Sequence, residues 1–129
     1  MRQLAYLDIA SLHNTPDWVS VAGERFGALG KKTLFVDIAL HIPDRGCKKS
    51  AQAFNIERPH VRGVQHGMLP DFPHVRYRWH NQGGKHCCGL DLSGECSKES
   101  LVALLRHMDT HQFTPKNADV MMFFHGDVI

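Results

Sequence analysis

Lys32-Thr33-Leu34-Phe35-Val36-Asp37-Ile38-Ala39-Leu40-His41-Ile42 is the stretch whose reading settles the fold class. Side chains alternate across a strand, and Leu34, Val36, Ile38, Leu40 and Ile42 take every second position, so one face is wholly apolar. Phe35, Asp37, Ala39 and His41 share the other face. An antiparallel sheet with one packed and one solvated face writes this kind of pattern, whereas a parallel sheet covered on both faces does not. Pro43-Asp44-Arg45-Gly46 is turn chemistry and ends the strand.

Working outward, Gln3 to Ile9 reads as a strand. Thr15-Pro16-Asp17 reads as a helix start, with Thr15 as cap, Pro16 at the first helical position and Asp17 at the positive end of the dipole. Trp18, Ala22, Phe26 and Leu29 follow at helical spacing, and Gly30 can stop the helix. Gly23 and Gly27 weaken it unless they allow close packing against the sheet. Ser50 to Glu57 reads as a short helix, His60 to His66 as a strand and Gly67 to Pro73 as a loop. Ser97 caps a helix to about His111, with Leu101, Leu104, Leu105 and Met108 as its apolar stripe. The run Val120 to Phe124 reads as a strand buried on both faces. The chain is therefore read as one α+β domain, residues 1–129, with a mainly antiparallel sheet of about five or six strands and two main helices packed on it.

Composition agrees with one core. A chain of 129 residues has room for a single domain, and 22% charged residues is too few for a disordered segment. A net charge of +2 is too mild to demand nucleic acid as partner. No apolar run approaches the roughly 20 residues of a membrane helix. Cys47, Cys87, Cys88 and Cys96 come without an export signal, and the adjacency of Cys87 and Cys88 makes a bond between them strained. A reduced, cytoplasmic protein is expected.

His74 to Leu92 reads as a hairpin in which Val75, Tyr77 and Trp79 face inward and His74, Arg76, Arg78 and His80 outward. A four-residue loop, Asn81-Gln82-Gly83-Gly84, pairs His80 with Lys85, Trp79 with His86, Tyr77 with Cys88 and His74 with Asp91. The outer face then carries His74, Arg76, Arg78, His80 and Lys85, with Asp91 as its one acid. Arginines two apart on a strand present forked donors to phosphate or carboxylate groups. The leading expectation is a non-enzymatic binding protein that contacts an acidic protein or nucleic acid through this basic face. With Tyr77 and Trp79 inward, no aromatic interleaves with the charges, which disfavours single-strand stacking. Alternating basic residues are also how an ordinary solvated face looks.

Two further constellations carry chemistry. His86 and Cys88 are two apart on a strand, and His107 and His111 are four apart on a helix, so each pair shares a face. A helix packing back along the hairpin brings the pairs together as a zinc site of three imidazoles and a thiolate; the competing reading is ordinary core packing. His41, His66 and His125 are acid/base candidates for a small metal- or histidine-dependent hydrolase of a phosphate-containing substrate, with His41 meeting His66 if their strands are neighbours. No phosphate loop, nucleophile elbow or His-Glu-x-x-His motif is present. A final strand at the sheet's edge would offer itself to a second subunit, giving a homodimer.

Overall fold

The computed structural model describes residues 2–30, 33–42, 48–57, 63–81, 88–117 and 119–127. Six strands form one sheet: β1 (Arg2–Asp8), β2 (Leu34–Ile42), β3 (Gly63–Leu69), β4 (Phe72–Asn81), β5 (Cys88–Cys96) and β6 (Asp119–Asp127), in the order β1-β6-β2-β5-β4-β3. Every neighbouring pair is antiparallel. Helices α1 (Trp18–Gly27), α2 (Lys48–Phe54) and α3 (Lys98–Thr110) connect strands that are not neighbours, and a short 3-10 turn, Ile9–Leu12, follows β1. This is the α+β single domain read from the alternation of β2, with six strands and, beside the two main helices, the short α2 read at Ser50 to Glu57.

The core lies on one face. Leu34, Val36, Ile38, Leu40 and Ile42 of β2 are buried, as are Val75, Tyr77 and Trp79 of β4, Leu90 and Leu92 of β5, and Val120, Met122 and Phe124 of β6. The helices meet them with Trp18, Val19, Ala22 and Phe26 from α1, Phe54 from α2, and Leu101, Leu104, Leu105 and Met108 from α3. Phe26 stands edge-on to Phe124, ring centroids 5.3 Å apart.

Helix ends follow local chemistry. Asp17, not Thr15, caps α1: its carboxylate accepts from the Ser20 amide at 3.3 Å and the Ser20 hydroxyl at 2.7 Å. Arg106 of α3 donates to the same carboxylate at 3.1 Å, and these donors together hold it below the usual carboxylate range, the Ser20 bonds leading. Starting the helix there lets the Trp18 indole donate to Asp109 of α3 at 2.9 Å. Gly23 does serve close packing, though against α3 rather than the sheet, since a Cβ there would lie 2.9 Å from Val102 Cγ2. The α2 and α3 ends place Asn55 and Gln112 at positive φ, with Ile56 and Phe113 amides bonding back to Ala51 and Met108.

Three expectations are corrected. Gly67 to Pro73 is not a loop: β3 runs to Leu69, and only Pro70 and Asp71 separate it from β4. The β4–β5 register is shifted by four residues, pairing Trp79 with Leu90, Tyr77 with Leu92, Arg78 with Asp91 and His80 with Gly89. A shift of four keeps every side chain on its own face, so alternation could not exclude it; the register found sets each buried aromatic against a buried leucine. The strand β6 is neither buried on both faces nor at an edge, because it sits between β1 and β2, with Met121 exposed.

The start of β4 curls toward the helices. Gly94 shares its face with Leu92 and Cys96, and a Cβ built there would overlap the carbonyl oxygen of His74. This curl carries Phe72 to the ring of His107 on α3, 5.2 Å between centroids, and buries Leu69. Gly94→Ala is expected to destabilise the protein by about 1–3 kcal/mol in urea unfolding, because backbone must move. Gly89→Ala, whose Cβ would meet the His80 ring at an ordinary 3.5 Å, is the control and is expected to cost less.

Candidate functional site

No described helix covers the second face of the sheet, and its composition follows from the pairing. One row runs across all six strands as Tyr6, Phe123, Asp37, Ser93, Arg76 and Met68. The next is Asp8, Met121, Ala39, Asp91, Arg78 and His66. A third places His41, Gly89, His80 and Val64 side by side. Tyr6 (55% exposed), Phe35 (40%), Val64 (50%), Met68 (48%) and Met121 (43%) are the large apolar side chains left exposed among the described residues, and all five lie on this face. Tyr6 and Phe123 pack as a tilted pair, centroids 5.1 Å apart.

The face is zoned rather than uniformly basic. Arg76 and Arg78 project from β4 and are exposed, as expected. Asp91 stands opposite Arg78 and not His74, and its carboxylate lies 3.5 Å from Nε2 of His80. Asp91 is not the one acid here, because Asp8, Asp37 and Glu95 come onto the same face from β1, β2 and β5. His74 does not offer its ring to solvent: it stands against Phe72, and its Nε2 is buried with no hydrogen-bond partner among the described residues. Lys85 lies outside the described residues.

Tyr6, Met121 and Phe123 escaped the sequence reading, whereas Phe35 was placed on this face of β2 but not as part of a contact surface. The signal for two of them was present in the unbroken apolar run of β6, which puts Met121 and Phe123 opposite Val120, Met122 and Phe124. Tyr77 and Trp79 do point inward, yet other aromatics share the face with the arginines.

The four proposed metal ligands have different fates. His86 is outside the described residues, and of Cys88 only the backbone is placed, paired with Ile42. The last turn of α3 does return to that end of the sheet, for Ile42 and His111 line one groove. His107 and His111 rings are 4.6 Å apart, but Nε2 of His107 donates to the Ala53 carbonyl at 2.6 Å, tying α3 to α2. Among the described residues no three His, Cys, Asp or Glu groups converge on one point.

Of the acid/base candidates, His41 and His66 do not meet, because β5 and β4 separate their strands. His41 instead faces His80 across Gly89, over which the His80 ring leans. His125 stands in β6 opposite Phe35. No described helix is long and apolar enough to cross a membrane.

Cys96 closes β5 opposite Leu34, and burial pushes its thiol up to about 12, away from any nucleophilic or ligand role. It is expected to resist iodoacetamide in the native protein at pH 8 and to react on unfolding, as read by peptide mass spectrometry.

Comparison with protein-family models, with curated proteins and with solved structures finds no match for this chain.

Proposed function

We propose that the protein is a binding module whose contact surface is the helix-free face of its sheet, with Arg76 and Arg78 as anchors beside acidic side chains of a protein partner. The observation that carries this reading is the gathering of all five exposed large apolar side chains on the face that also presents both arginines. Exposed apolar patches rimmed by polar groups mark contact surfaces, and arginine and aromatic residues dominate their energetics. Protein is favoured over nucleic acid because Asp37, Asp91 and Glu95 line the middle of the face, where a phosphate backbone crossing the strands would be repelled. Short polyglutamate that spans the arginine strip alone is expected to bind in fluorescence anisotropy at low protein concentration, to weaken with salt, and to be lost in Arg76→Glu/Arg78→Glu, which is expected to stay folded by circular dichroism. Retained affinity in that variant, or preference for a single-stranded oligonucleotide, would overturn the assignment.

A second reading rests on the third row. His80 leans over Gly89 with Asp91 at 3.5 Å, and His41 flanks Gly89 from β2. Two imidazoles across a glycine floor, with Arg78 in the adjacent row, suit a histidine-dependent hydrolase of a phosphodiester. It predicts cleavage of bis(p-nitrophenyl) phosphate with a bell-shaped pH profile, abolished by His41→Ala; inactivity across pH and with added divalent metals excludes it.

A further inference from the structure

We infer that the partner of the helix-free face is a second copy of this chain, the two sheets packing face to face about a two-fold axis parallel to the strands. This rests on the reading of that face as a contact surface. The register of the sheet supplies the argument. An axis midway between β2 and β5 lays β4 of one copy over β6 of the other, β3 over β1 and β5 over β2. Arg76 then faces Phe123, Met68 faces Tyr6 and Ser93 faces Asp37. In the next row Arg78 faces Met121, His66 faces Asp8 and Asp91 faces Ala39. Neither row opposes like charges, although the face carries both signs. Each arginine meets an apolar side chain with an acid beside it, Asp37 next to Phe123 and Asp8 next to Met121. A two-fold interface must be complementary to itself, and this zoning provides that.

Size agrees. Six strands spaced by about 4.8 Å, with outer faces roughly 22 Å long, offer about 650 Å² per copy, or about 1,300 Å² in all. That falls within the range of about 1,200–2,000 Å² for specific complexes. Aligned sheets pack about 10 Å apart and cross at about 30°, so the rows nearest the axis keep their opposition best. Burial would also cover the apolar side chains that the helices leave open.

The test is sedimentation velocity on the full chain over a concentration series, with two charge variants. Wild type is expected to be a dimer. Arg76→Glu/Arg78→Glu sets carboxylates beside Asp37 and Asp8 of the second copy and is expected to be monomeric. Met121→Lys/Phe123→Lys sets ammonium groups against Arg78 and Arg76 and is expected to be monomeric too. Mixing the two variants is expected to restore a dimer, since introduced carboxylates then face introduced ammonium groups. Circular dichroism checks that each is folded; Arg78→Glu with Met121→Lys is the milder pair should the double variants unfold. A monomeric wild type, a dimer that persists in either variant, or a mixture of folded variants that stays monomeric overturns the inference. A monomer that still binds polyglutamate through its arginines leaves the contact-face reading standing, whereas a monomer that binds none removes both.

Discussion

The helix-side residues of β2 hold the structure together. Leu34, Val36, Ile38, Leu40 and Ile42 occupy the middle of the sheet, on a strand paired with β5 on one side and β6 on the other, and all are buried. Fully burying such side chains is worth roughly 1.5–3 kcal/mol each. With β5, β2 forms the central pair through which the two halves of the sheet are joined. Because the three helices all serve this one apolar face, the opposite face is left to find its own partner. The one-sided core and the apolar residues on the bare side thus have a common origin.

That bare face is organised by pairing rather than by composition. A net charge of +2 gives no hint that Arg76 and Arg78 sit on one strand and the acids on β1, β2 and β5. The separation matters more than the sum, since a surface with both signs in separate strips discriminates by alignment. Wrong registers bring like charges together and are penalised, whereas a uniformly basic patch would accept any polyanion. The glycines at positions 89 and 94 shape the face further. Gly89 leaves room for the His80 ring, and Gly94 lets β4 roll toward α3.

Much of the fold was legible in the sequence because period-two and 3.6-residue patterns are local. The alternation of β2, the Ser97 cap and the apolar stripe of α3 all appear where the residues place them. What was not legible depended on pairing across distance. Registers of β4 and β5 an even number of residues apart bury the same faces, and the matching of Trp79 with Leu90 and of Tyr77 with Leu92 marks the one found. Insertion of β6 between β1 and β2 leaves no local trace, so the strand looked like an edge. Of the contact face, the arginines were readable from their alternation on β4. That Tyr6, Phe35, Asp8 and Asp37 lie beside them was not, because it depends on how β1 and β2 reach β4 through β6 and β5.

The position of β6 also bears on how the chain acquires its shape during synthesis. The strands β1 and β2 flank a gap filled by a segment some 77 residues beyond the end of β2, reading from Ile42 to Asp119. Until that segment has been made, the facing edges of β1 and β2 present open backbone donors and acceptors beside apolar side chains. Closing so distant a pairing is slow, and unpaired strand edges are adhesive in the interval. The nascent chain would therefore carry its greatest tendency to aggregate at a late stage, after most of its core residues exist, and holding that slot open is the work a chaperone would be asked to do.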